Sequence, residues 1–373
     1  MTAHIVVLGA GYSGLVAAKL VARRTGARVT LVNAGDRFVE RVRMHQLASG
    51  QRLRDLPLTG LLDGTGIEFV VDTVIGIDPA ARTVRLAGTS APLGYDVLIH
   101  ALGSGADVHS VPGVAEHAYP VADAAQAARL RDRLPLARSV AVVGGGLTGI
   151  EAATELAESR PGLAVTLVTG GLLGEALSVR ARRHLQRVFR RLGITVRENA
   201  PVGEVRPDGV LLPGGEHLPA DTVVWTTGFT VPPLAGEAGL AVDTHGRLIV
   251  DETLRSVSHP EVYGVGDGTA ARMRSGQELR MACATGLPSA AHVARSVADH
   301  LAGRPAGPLR FRYLNQCISL GRRDGLVQFV RADDSPVEAV LTGRIAALYK
   351  ESIVRGTVAV QRRPGLAALS APR

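Results

Sequence analysis

Residues 143–153 read VGGGLTGIEAA, and residues 8–18 read LGAGYSGLVAA. Each is a glycine-rich turn set between an apolar run and an alanine-rich, helix-forming stretch. Glycines 9, 11 and 14 fall on glycines 144, 146 and 149 at a constant offset of 135 residues. The likeness runs further: both turns lead through a helix to a VTLV strand, at 29–32 and at 165–168. Downstream, 66–104 and 193–229 each carry a short strand, hairpin-like turns at Asp78-Pro79 or Pro207-Asp208-Gly209, and an apolar strand ending in small residues. The chain reads as two copies of one unit.

The spacing has a physical meaning in each copy. A buried strand (Ile5–Leu8; Val140–Val143) delivers the chain to a tight turn, where Gly9 or Gly144 supplies backbone angles closed to other residues. Gly11 or Gly146 lets the backbone approach a pyrophosphate, and Gly14 or Gly149 lets the helix pack closely on the sheet. Unpaired N–H groups at the helix start then face the phosphates, aided by the helix dipole. Because each motif follows a strand and opens a helix, the context required of a dinucleotide fingerprint is met twice. An acid usually grips the adenosine ribose at the end of the second strand, whereas this chain offers Asn33 and Thr169. Both can bond a hydroxyl, and no arginine directly follows Thr169, so NADH and NADPH stay undistinguished.

A third motif, SVSHPEVYGVGDGTA at 256–270, places a Gly266-Asp267 pair at the end of a strand, where the carboxylate can bind hydroxyls or simply shape a turn. With these three motifs in this order, residues 4–305 resemble the flavoproteins with two dinucleotide-binding domains, the pyridine nucleotide-disulfide oxidoreductase class. The resemblance is nearest to type II NADH dehydrogenases and quinone reductases similar to apoptosis-inducing factor. It implies an α/β fold of two Rossmann-like domains plus a small α+β C-terminal region. It also implies FAD in the first copy, with Asp267 on the ribityl chain, and NAD(P)H in the second. The implied boundaries are 1–107 with 237–305 for FAD, 108–236 for NAD(P)H, and 306–373 for the remainder. Ser13, Asn33, Arg43, His45, Gly103, Gly266, Thr148, Thr169 and Gly228 join the glycines as implied cofactor contacts. Glu151, two residues past Gly149, is the implied catalytic residue near nicotinamide and flavin; its plain alternative is a first-turn acid complementing the helix dipole. The helix expected within 281–303, with Pro288 in its first turn, would aim its positive end at the flavin. There the chain has ACATGLPSA where quinone-reducing relatives carry an AQ.A.QQG-like segment, which weakens the quinone reading.

The implied activity is hydride transfer from NAD(P)H to flavin and onward to a quinone-like small-molecule acceptor. The rivals are a reductase of a ferredoxin-like protein, a biosynthetic flavoenzyme acting on an aromatic metabolite, and a nucleotide-sensing scaffold. Two cysteines, Cys283 and Cys317, stand 34 residues apart without metal-binding or CxxxxC spacing, so no metal site and no redox-disulfide pair is expected. No apolar run reaches the roughly 18 residues of a membrane span, and the first strand begins too early for a signal peptide. The expected location is cytoplasmic, with a peripheral place on the inner membrane face as the alternative.

The net charge of +8 comes from 42 Lys+Arg against 34 Asp+Glu, and all but Lys19 and Lys350 of those cations are arginines. Without a recognition motif this charge argues no nucleic-acid partner; a homodimer is compatible with the class. The Arg-rich stretch 179–193 reads as a solvated helix. At the C-terminus, 309–331 suggests strands turning at Arg323-Asp324-Gly325, and 337–356 suggests a helix with Val337, Val340, Leu341, Ile345 and Leu348 on one stripe. That stripe reads as core-facing. The alternative is a membrane-surface helix flanked by Arg344, Lys350, Arg355, Arg362 and Arg363.

Overall fold

The computed structural model describes residues 2–370, and both repeats form five-stranded parallel sheets in it. In the first sheet His4–Leu8 is central, with Arg28–Asn33 and then Glu68–Val71 on one side and Val97–His100 and then Val262–Gly264 on the other. In the second, Ser139–Val143 takes the centre between Ala164–Val168 and Thr222–Trp225, with Thr195–Arg197 and Ala118–Pro120 outermost. Ile5 to Leu8 and Val140 to Val143 are buried throughout, which is why these strands read as unbroken apolar runs rather than alternating ones.

The copies differ in where the fifth strand comes from. The second sheet takes Ala118–Pro120 from just before its glycine turn. The first sheet waits for Val262–Gly264, after the whole second copy has been threaded. The second unit is thus inserted into the first, and the chain returns to its opening sheet. Each unit also carries a three-stranded antiparallel sheet, Val74–Asp78/Thr83–Leu86/Thr89–Gly94 and Glu204–Arg206/Gly209–Leu211/His217–Pro219, turning where the sequence places its hairpins.

The C-terminal region departs from the sequence reading. Asn315–Ser319 and Gly325–Val330 are the expected strands, but Pro336–Thr342 forms a third strand instead of the start of a helix. A register shift between Gln328 and Val330 breaks the period of two along it, so Val337, Val340 and Leu341 look helical in spacing. The helix itself spans Gly343–Arg362 and buries Ala346, Val354, Thr357, Val358 and Gln361. Ile345 and Leu348 point outward at 69% and 70% exposure, so the core-facing reading of that stripe is corrected. Pro288 likewise lies in the second turn of the Cys283–Leu301 helix, not the first.

What holds the last helix is polar. Gln361 Nε2 donates to the Tyr12 carbonyl at 3.1 Å. The buried Lys19 ammonium, on the first glycine helix Tyr12–Thr25, donates to Leu61 O at 2.8 Å, Gln361 O at 2.6 Å and Arg362 O at 3.4 Å. Carbonyls at a helix C-terminus have no partner within the helix, and a cation there satisfies them and complements the dipole. Replacing Lys19 with Met should therefore cost about 2–4 kcal/mol, seen as a lowered denaturation midpoint, with the C-terminal helix the first segment cut by protease.

Candidate active site

The two glycine turns are superimposable in their constraints. Gly9 and Gly144 have φ of +98° and +121°, and their N–H groups donate to Val32 O and Val168 O, both at 2.8 Å. A Cβ on Gly14 would collide with the Gly9 carbonyl oxygen, and one on Gly149 with the Gly144 carbonyl oxygen. Around Gly11 and Gly146, by contrast, nothing lies within 4 Å of the missing Cβ. Each of these two glycines caps a helix that has no side-chain cap and no acid in its first turn. The result is a bare, inward-tight and outward-open cradle of N–H groups, which fits a pyrophosphate.

Around the first cradle, Asn33 Oδ1 accepts from Ala10 N at 2.8 Å and its amide donates to Gly35 O at 2.7 Å, so this side chain braces the turn. Ser13 Oγ lies close beneath Gly266 and Gly286, bringing the Gly266-Asp267 segment and the Cys283–Leu301 helix onto the glycine helix. Asp267 accepts from Ser104 Oγ at 2.8 Å, and Arg41 Nη1 stands 3.6 Å from it while donating to the Ser104 carbonyl at 2.7 Å. Sequence reasoning missed Arg41 and named Arg43. The structure turns Arg43 the other way, onto Glu40 at 3.1 Å and Glu351 at 2.8 Å. Gly103 and Gly228 both take positive φ, +71° and +72°, at the ends of matching strands. The crossings they start, Gly105–Ala106 and Phe229–Thr230, pair antiparallel and tie the two units together. Beneath this corner the fully buried His100 has neither ring nitrogen bonded, and burial lowers its pKa to about 4.

Around the second cradle, Thr148 lies half-buried in the first turn of the Leu147–Ser159 helix, and Thr169 is buried against Gly145. Glu151 is a second-turn residue of that helix, not a first-turn acid. It is buried, accepts from Ser319 N at 2.9 Å and pairs with Lys350 Nζ at 3.1 Å. Burial alone would raise its pKa, but the Lys350 ammonium and the Ser319 N–H outweigh that and hold it below the usual range. Lys350 also donates to the Cys317 carbonyl at 3.0 Å, with only 17% of its side chain exposed. It therefore faces inward, and its listing among lipid-facing cations is corrected. Burial would lower its pKa, and the Glu151 charge reverses this and raises it. His45 adjoins this pair; it is fully buried, with Nε2 unbonded and a pKa lowered by burial to about 4. The free thiols Cys283 and Cys317 flank Lys350, and burial raises the pKa of both.

The family model described as pyridine nucleotide-disulphide oxidoreductase matches residues 3–298, nearly the whole span of both repeats. The chain belongs to that family. It is an oxidoreductase, and its cofactors are FAD and NAD(P)H. An NADH dehydrogenase-like protein of Mycobacterium tuberculosis is 32% identical over 85% of this chain and 86% of its own. A demethylphylloquinone reductase of Synechocystis is 26% identical over 93% and 92%. Among solved structures, NDH2 of Plasmodium falciparum in complex with NADH superimposes with a TM-score of 0.83, covering 97% and 98% of the two chains at 15% identity, a likeness of fold.

The Glu151–Lys350 pair is the electrostatic centre of this site. Lys350→Met would leave a buried carboxylate without its cation, so the Glu151 pKa should climb from below the ordinary range to above it. Breaking such a pair costs about 3–5 kcal/mol, and the variant should lose stability as pH rises, because the uncompensated carboxylate must then ionise inside the protein. Thermal denaturation of wild type and variant between acidic and alkaline pH reads both effects.

Proposed function

We propose that this protein is an FAD-dependent NAD(P)H:quinone oxidoreductase. The observation that carries the reading is the duplicated cradle in one chain, only the second of which bears a buried, charge-balanced acid. Demethylphylloquinone reduction by the Synechocystis relative supports a quinone-like acceptor. FAD, when bound, supplies the chemistry of accepting hydride and releasing an electron pair.

The residues divide the work. Gly9, Gly11 and Gly14, with Ser13 beneath them, take the FAD pyrophosphate, and Asn33 keeps their turn rigid. Asp267, held by Ser104 and Arg41, offers its carboxylate to the ribityl hydroxyls, with Gly103 and Gly266 admitting the chain. Gly144, Gly146 and Gly149 take the NAD(P)H pyrophosphate, with Thr148, Thr169 and Gly228 around it. Arg43 and His45 sit behind the flavin site, where Arg43 fixes the last helix through Glu351. That helix brings Lys350, which keeps Glu151 ionised and in place beside the reacting rings. The corresponding units are 1–107 with 237–305, 108–236, and 306–373.

The outward face of the last helix supports a peripheral membrane contact for a lipid-soluble acceptor. Ile345 and Leu348, one turn apart and next to Arg344, are exposed on that helix, and the exposed Leu314 directly precedes Asn315, whose amide donates to Tyr349 Oη of the same helix at 2.9 Å. Among the described residues no helix is long and apolar enough to cross a membrane. Purified protein should bleach near 450 nm with NADH and turn over with menadione, and Ile345→Ser with Leu348→Ser should abolish flotation with anionic liposomes while leaving menadione turnover intact. Turnover with a ferredoxin but with no quinone would overturn the acceptor class.

Coenzyme preference follows from the second cradle. Residues 169–174, TGGLLG, carry no acid of their own, but Glu175 and Glu198 accept from the N–H groups of Leu172 and Leu173 at 3.2 and 2.8 Å, and Glu198 lines the same cavity as Arg182 and Arg183, so acids and arginines offset one another there. NADPH should be used with kcat/KM within about tenfold of NADH, and replacing both arginines by Ala should lower the NADPH value about tenfold, the worth of one charge-assisted contact.

A further inference from the structure

The repeat offers an internal control. At the same offset of 135 residues, Glu151 and Glu155 of the second glycine helix fall on Val16 and Leu20 of the first. Val16 and Leu20 are buried apolar residues in the core cluster that packs the first unit. The second helix buries carboxylates in their places, and a buried carboxylate is costly unless paired. Lys350 answers that cost for Glu151. Nothing of the kind answers it for Glu155. It is 0% exposed, its Oε1 takes a hydrogen bond from Gln51 Nε2, and its Oε2 is buried without a partner. One helical turn separates the two acids, which places them on the same face. A turn further, Glu158 accepts from the Arg322 N–H at the rim of the same face.

We propose that Glu155 is the proton-holding residue of this site, receiving protons from the Glu158 rim and passing them toward Glu151 and the acceptor. The inference rests on the quinone reading above. Balance requires such a group: NAD(P)H gives up a hydride, carrying two electrons and one proton, whereas a quinone becomes a quinol with two electrons and two protons. The second proton comes from solvent and must enter a buried site. Glu151 is a poor store for it, because Lys350 favours its ionised form and a proton that reaches it is passed on rather than held. Glu155 is a good one, because burial, partly opposed by the Arg322 charge, raises its pKa to about 7. The groups facing it are Glu151 and Glu158 on its own helix, Gln51 from the segment after the Met44–Ala48 helix, and Arg322 from the turn between the C-terminal strands, with His45 and Lys350 lying beyond Glu151. Glu155 acts through Glu151 and is a positioning residue in that sense.

The variants are Glu155→Gln, which keeps shape and polarity, and Glu155→Leu, the residue that the first copy buries at this position. Both should fold, and both should gain thermal stability over wild type above about pH 7. A raised carboxyl pKa means that the folded state holds the proton more tightly than the unfolded one, so wild-type stability falls as pH rises toward that value and the variants escape the loss. Turnover is then compared with menadione and with dichlorophenolindophenol, which consume protons on reduction, and with ferricyanide, which does not. Both variants should lose about tenfold or more with the first two acceptors at neutral pH, lose the inflection of the wild-type pH profile near 7, and keep the ferricyanide rate. An infrared titration should find a protonated carboxyl near pH 7 in wild type and none in Glu155→Gln. Equal losses with all three acceptors, or an unchanged pH profile, would reduce Glu155 to a packing residue. A wild type that reduces dichlorophenolindophenol but no quinone would instead overturn the acceptor assignment, while the same comparison still decides the role of Glu155.

Discussion

The contact between Lys350 Nζ and Glu151, 3.1 Å long and largely shut off from water, joins two parts of the chain that lie far apart in sequence. Glu151 belongs to the second glycine helix and Lys350 to the last helix, 199 positions later. The same last helix reaches the first glycine helix through Tyr12 and Lys19, and the segment at 40–46 through Arg43 and Glu351. Glu351 there gathers Arg43, Arg322 and Arg355, which outweigh its partial burial and bring its pKa down to about 2. The segment from Asn315 to Arg362 therefore acts as a clasp across both nucleotide units. The only lysines in the chain, Lys19 and Lys350, are both spent on it. An ammonium suits these places because it is compact and can donate to several carbonyls at once, where a planar guanidinium would demand more room.

The duplicated scaffold and its altered helix face show what the fold spends on stability and what it spends on chemistry. The first glycine helix packs closely on the Cys283–Leu301 helix with apolar residues and contributes to the largest core cluster. The second packs against the C-terminal sheet and the short Met44–Ala48 helix, and its inward face carries Glu151, Thr154 and Glu155. Two helices built on one pattern have diverged where they meet different neighbours. Polar groups have collected at the junction of three structural units, where each unit contributes part of the compensation: Ser319 and Arg322 from the sheet and the turn after its first strand, His45 from the short helix and Gln51 just beyond it, Lys350 from the last helix.

Local backbone constraints made the glycine turns readable from sequence, because a positive φ or a forbidden Cβ leaves a residue-type record wherever it occurs. Side-chain direction left none. Arg41 and Arg43 are two residues apart with identical chemistry, and only the 3₁₀ turn between them sends one to Asp267 and the other to Glu351. Lys350 looked like a lipid-facing cation because its partner lies in a different unit, and the sequence reading passed over Glu155. The one available signal was the repeat itself: aligned on Val16 and Leu20, both acids stand where the fold expects apolar residues. The third C-terminal strand was hidden by its bulge, which imitates helical spacing.

The thiols decide how electrons can leave. In a family named for disulphide chemistry, this chain keeps Cys283 and Cys317 as free thiols near the site. Nucleophilic or redox thiols require a thiolate, and that requires a positive, partly wet surrounding. Lys350 supplies the charge, but its ammonium is committed to Glu151 and to the Cys317 carbonyl, and burial outweighs it, so both thiols are pushed above their ordinary pKa. The thiolate form that exchange requires is thereby disfavoured at both. The same ammonium that keeps Glu151 charged is thus unavailable to activate sulfur, and transfer to a bound small-molecule acceptor, as proposed above, needs no thiol step.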